Sequence, residues 1–313
     1  DNNLMHKKRN LLPIICTLLI VAVMVYASEL AHEKEIIFPE IAAIATGALL
    51  SPTITWHTDK KRILILIMVC ASLGMAIVFV VPGTLWLKFV IAYAVSQIIL
   101  SLSGTGFAPM VSAIVLPVML GTRTPLYLLS AFLFTTIILL VRTVFEKTSV
   151  CNRISYQPLE RQPFVFIIKK IIVASVIIFI AIRTGFPYVV APPVLVAFTE
   201  FADSKSAARS HPFKTVSLIS LCALSGAFCR YTITSVAGLP LTLAAVLAMT
   251  ISIILIYSFR MYLPPAGALT LLAMLIPRAA LAIYPVSVFA GVSIFMLISG
   301  WMFRSRAYGS YFS

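Results

Sequence analysis

Long apolar runs alternate with short polar connections along the whole chain. Twelve such segments can be marked, at residues 11–28, 36–52, 63–81, 85–102, 107–120 and 125–142, then 164–182, 187–202, 215–236, 240–259, 264–277 and 284–303. The runs are continuous and lack a period of two, so they predict helices and not the strands of a barrel. Several reach the roughly 20 residues that a helix needs to cross the hydrocarbon layer. Others fall short: residues 107–120 would cover about 21 Å as a helix, against a core of about 30 Å. Such pieces read as half-helices, broken helices or re-entrant segments.

The pattern repeats at a spacing near 152–155 residues. Pro39 matches Pro192, Thr46 matches Thr199, and Arg62 matches Lys214, each of the last two just before a long run. Cys70-Ala71-Ser72-Leu73-Gly74 matches Cys222-Ala223-Leu224-Ser225-Gly226, and Ala108-Pro109 falls opposite Leu263-Pro264. Each match is weak alone; their shared order and spacing carry the duplication. The expected organisation is a first transmembrane repeat at 1–145, a linker at 146–163 and a second repeat at 164–313.

Charge orients the segments. If all twelve cross with the N-terminus inside, 18 Lys and Arg residues fall in cytoplasmic loops and 4 outside, namely Lys34, Arg123, Arg183 and Arg278. That is the positive-inside distribution. Making segments 107–120 and 264–277 re-entrant would move the basic linker outside, so an even number of crossings per half is preferred. Both halves then point the same way, related by an axis along the membrane normal. The fold expectation is an all-α, polytopic transmembrane helical bundle of about 12 segments, in two parallel-oriented repeats of six. The expected location is the cell membrane, with both termini cytoplasmic and lipid as the main partner.

Composition agrees. Apolar residues make up 61% and charged residues 11% of the 313 positions, against roughly 45–50% and 25% in soluble domains. The net charge of +14 does not argue for nucleic acid, because the basic residues sit between membrane segments. Five cysteines lack metal-type spacing and predict no disulfide framework. His6-Lys7-Lys8-Arg9 before an apolar run, with Val25-Tyr26-Ala27 at its end, resembles a signal peptide. The matching segment in the second half favours a retained helix. No Walker loop, zinc spacing, nucleophile elbow or dinucleotide fingerprint is present, so neither an enzyme nor a cofactor nor a metal is expected.

Candidate chemistry gathers at the two short segments. Ser103, Gly104, Thr105, Gly106 and Pro109 lead into one, and Pro264, Pro265 and Gly267 open the other. Ser and Thr suit caps, Pro suits the first turn and Gly admits close approach of a ligand. A helix start favours an anion; the alternative is ordinary capping and close helix packing. Arg230 is an intramembrane cation that either attracts an anion or snorkels outward. Glu40 and Glu200 are candidates for coupling, Glu200 alternatively pairing with Lys205 or Arg209 and Glu40 alternatively stabilising a helix start. His57 and His211 lie in matching loops and read as solvated.

The stretch Ala191–Pro277 resembles the HPP family of integral membrane proteins, with residues 187–277 as its core. It opens on Ala191-Pro192-Pro193 and closes on Leu263-Pro264-Pro265-Ala266-Gly267-Ala268, similar to the family's His-Pro-Pro-Ala-Gly-Ala signature with Leu263 in place of the His. The resemblance implies a transporter or channel for a small anion such as nitrite. A lipid-handling protein and a non-transporting subunit of a complex are the alternatives, and homo-oligomerisation is left open.

Overall fold

The computed structural model describes residues 2–51, 54, 56–203 and 206–303, with side chains from Leu11 onward. Lys7, Lys8, Arg9, Lys205, Arg304 and Arg306 of the charge count therefore lie outside the described side chains. Among the described residues the regular structure is all helical. The helices are α1 (Asn2–Ala31), α2 (Glu40–Ala45, prolonged by a π turn at Thr46–Leu50), α3 (Lys60–Val80), α4 (Leu85–Ser103), α5 (Pro109–Leu120) and α6 (Leu126–Lys147). After the linker come α7 (Phe164–Arg183), α8 (Pro192–Ala202), α9 (Pro212–Cys229, prolonged by a π turn at Arg230–Val236), α10 (Leu241–Phe259), α11 (Pro264–Leu272) and α12 (Tyr284–Met302).

The boundaries follow from local chemistry. Pro109, Pro192, Pro212 and Pro264 each open a helix, where the missing N–H costs nothing. Asp59 caps α3 by accepting from Arg62 N at 2.8 Å. Gly104 and Gly121 end α4 and α5 in the left-handed region, which favours glycine.

Eight described helices are long and apolar enough to cross a membrane: α1, α3, α4, α6, α7, α9, α10 and α12. Between 33% and 50% of the apolar window of each is buried, so the remainder faces outward. Leu19, Val80, Leu140, Phe164 and Trp301 are exposed on these outer faces. Water would not tolerate so continuous an apolar surface, and a bilayer requires it.

Of the twelve segments read from the sequence these eight are long enough to cross, and the four that are not are α2, α5, α8 and α11. These are short, with 12 residues in α5, 11 in α8 and 9 in α11. Their positions are almost wholly buried. A short helix ends inside the hydrocarbon layer and leaves backbone groups unpaired there, which is tolerable only where protein surrounds it. The four touch in a closed ring, α2 on α5, α5 on α8, α8 on α11 and α11 on α2, inside the longer helices.

Glycine permits this packing. A Cβ on Gly74 of α3 would overlap the Ile114 carbonyl oxygen of α5, and one on Gly226 of α9 would overlap the Thr270 carbonyl oxygen of α11. Packing also crosses between the halves: α1 lies against α10 and α4 against α7. Glu29, at the end of α1, accepts from Leu241 N and from Thr242 N at 3.0 Å, capping the start of α10.

Candidate functional site

Three arginines meet the short helices at their C-terminal ends. Arg142 of α6 is 3% exposed and donates to Ala48 O of α2 at 2.5 Å and to Asn152 O of the linker at 2.5 Å. Arg230 donates to Ala273 O at 2.6 Å and to Ile276 O, just past the end of α11. Arg209 donates to Phe303 O at 2.6 Å and lies 3.5 Å from Ala202 O, the last residue of α8. A helix end carries a partial negative charge that low dielectric makes costly. These guanidinium groups neutralise it, which gives Arg230 a structural task.

The Ser103–Gly106 turn is engaged with its surroundings. Ser103 Oγ donates to Leu100 O at 2.7 Å and meets Thr105 Oγ1 at 2.9 Å, while Gly106 N donates to Trp56 O at 2.8 Å. The linker lies over this turn: Leu159 N donates to Gly104 O at 2.9 Å, and the Tyr156 hydroxyl sits against Gly104 where a Cβ would stand. Pro109 is buried at the first turn of α5.

At the other short helix, Pro264 and Pro265 have no N–H, and Ala266 N donates to Leu263 O at 3.1 Å. The first turn of α11 therefore offers its dipole but not its amides. Gly267 faces α2, where an added Cβ would lie 3.0 Å from Ala42 O and from Thr46 Oγ1.

Pro264 does line a cavity of about 330 Å³, between the end of α2 and the start of α11. Gly47, Ser51 and Trp56 form one wall, and the Arg260–Leu263 segment with His211 and Lys214 forms the other. Lys214 and Arg260 supply two cations and His211 an imidazole; among the described residues no acid lines it. Trp56 links the two sequence motifs, since it lines the cavity and packs edge-on against Phe107, with ring centroids 4.9 Å apart. Residues 103–109 themselves do not line it.

Arg260 holds an unusual backbone position. It closes α10 with φ 51° and ψ 40°, its N–H donating to Tyr257 O and Met261 N to Ile256 O. This left-handed closure favours glycine, so the arginine bears a strain of about 1 kcal/mol. Its place four residues before Pro264 is visible in the sequence; its return to the cavity is not.

The two acids lie apart from that cavity. Glu40, 0% exposed, stands at the first position of α2, where Ser112 of α5 donates to Oε1. Glu200 is half-buried two residues before the end of α8. Of its two expected partners, Lys205 lies outside the described residues and Arg209 is engaged as above.

A further polar cluster escaped sequence reasoning. Lys170 of α7 is 1% exposed and donates at 2.8 Å to Gln97 Oε1 of α4 and at 2.8 Å to Gln162 Oε1 of the linker. Gln97 Nε2 donates to Thr199 Oγ1 of α8 at 3.1 Å, and the Tyr93 hydroxyl lies 3.3 Å from that oxygen. Asp203, at the end of α8, is the acid that acts on the Lys170 charge, though not as a direct ion pair within 4 Å. In the sequence Lys169 and Lys170 only blur the start of an apolar run.

No family profile, curated protein or solved structure matches the chain. The resemblance of residues 191–277 stands on the quoted motifs alone.

Proposed function

We propose that the chain is a membrane transporter or channel for a small anion, admitted through the cavity between the end of α2 and the start of α11. The observation that carries this reading is the lining of that cavity, two cations and an imidazole with no acid among the described residues, at the positive end of a buried helix. In this reading the bundle is two parallel-oriented repeats of six, α1–α6 and α7–α12, with the pathway where they meet. Matched contacts support the repeat. Tyr127 donates to Ala113 O and Tyr284 to Leu269 O, at 2.8 and 2.7 Å. Thr46 bonds Ala42 O as Thr199 bonds Leu195 O. Trp56, before α3, and His211, before α9, line one cavity, which favours parallel over inverted halves.

The basic loops would place this mouth on the cytoplasmic side. Nitrite is the first anion to try, because the HPP resemblance implies it. Purified protein in liposomes should take up nitrite, or another small monovalent anion of a broad panel, faster than protein-free liposomes. Lys214→Gln should slow that uptake. An absence of flux across the panel, with a known channel working in parallel, would sink the reading.

A further inference from the structure

Glu40 presents an energetic problem that packing alone does not resolve. The side chain is fully buried, Ser112 serves one carboxylate oxygen, and the other, Oε2, has no hydrogen-bond partner among the described residues. The amide of Glu40 itself is the other donor turned toward the group. An ionised carboxylate in such surroundings needs a cation or several donors to offset the loss of its hydration.

Among the described residues no cation is supplied by the elements packed around it. From α6 the facing titratable group is Tyr127, whose hydroxyl donates to Ala113 O. From α5 comes Ser112, and the α11 segment Pro264–Leu272 carries no titratable side chain. α1 turns Met24 and Val25 inward and holds Glu29 on the start of α10. In the turn before α2, Lys34 is exposed and Glu35 is held by Thr124. Arg142, the nearest guanidinium along α2, sits on Ala48, eight residues or about 12 Å further on.

We infer that Glu40 and Ser112 form a proton site, where α2 meets α5, in which the carboxylate takes a proton on Oε2 when the core closes and gives it up when water reaches it. Binding converts a buried −1 charge to a neutral carboxyl with Ser112 still donating to Oε1, and release restores the charge. The inference rests on the transport reading only for its consequence, which is that anion movement is driven by a proton gradient.

Two measurements test it. In proteoliposomes, Glu40→Gln should cut proton-gradient-driven anion uptake by about tenfold or more while anion counterflow without a gradient persists. Full gradient-driven uptake in Glu40→Gln, or uptake driven by sodium with no pH gradient needed, would overturn the proton site. The second measurement needs no transport: infrared spectra of the purified wild type should hold a carboxylic-acid carbonyl band. That band should be lost in Glu40→Gln, shift in Ser112→Ala and decline at alkaline pH when the protein is opened to solvent by mild denaturant. If the band is absent from the wild type, or unchanged in Glu40→Gln, the site is wrong. A failure of all anion flux with the band present would refute the transport reading and leave the proton site standing.

Discussion

Arg142 Nη1 lies 2.5 Å from the carbonyl oxygen of Ala48, so a guanidinium on α6 closes the end of α2. The same side chain reaches Glu146 at 3.3 Å, and Glu146 also pairs with Lys60 at 2.5 Å. Replacing it by methionine keeps the apolar stem and removes every donor. Arg142→Met should destabilise the bundle by about 3 kcal/mol or more, because it strands buried acceptors. Thermal unfolding in detergent reads this as a lowered midpoint; an unchanged midpoint would mean that water replaces the guanidinium there.

Close helix contact makes an opposite pair of predictions for two glycines. Gly226→Ala pushes a methyl into the Thr270 backbone and should cost about 1–3 kcal/mol. Gly300 of α12 has nothing within 4 Å of an added Cβ, so Gly300→Ala should be neutral or stabilising by about 1 kcal/mol through helix propensity alone. Equal melting behaviour of the two variants would contradict the packing described.

The Lys170 cluster predicts a sign reversal. Gln97→Leu removes an acceptor from a buried ammonium and should cost about 1.5–3 kcal/mol. Adding Lys170→Met to that variant removes the charge as well and should restore much of the loss. A double variant as unstable as the sum of the single ones would show that the pair is not coupled.

Arg260 allows stability and function to be separated. Arg260→Gly relieves the left-handed closure and should raise the unfolding midpoint, with a gain of about 1 kcal/mol. It also removes one of the two cations of the cavity, so anion uptake should fall. A variant that is both more stable and fully active would remove Arg260 from the site.

The apolar runs made the long helices legible, and the prolines marked where α5, α8 and α11 start. The burial of these short helices in a ring could not be read, because hydropathy does not separate a buried apolar face from a lipid-facing one. The glycines of the repeated Cys-Ala-x-x-Gly pattern were noticed as a match, while their reason, contact with a backbone two helices later, is tertiary. Lys170 and Gln97 stand 73 residues apart, and neither local periodicity nor composition connects them. The cavity lining was hidden differently: His211 looked like a solvated loop residue and Lys214 like the basic start of a long run, and only folding returns them to Pro264 and Trp56.

Crosswise packing has a consequence for how the molecule is made. The Glu29 cap joins positions 212 residues apart in the chain. At about 5–20 residues per second, translation separates their appearance by roughly 10–40 s. During that interval α1 waits in the bilayer without α10, and for a shorter time α4 waits without α7. Neither half is a finished wall when it leaves the ribosome. A chain cut within the linker should therefore yield two fragments that accumulate when co-expressed and are degraded when made singly, since each supplies the helix that completes the other.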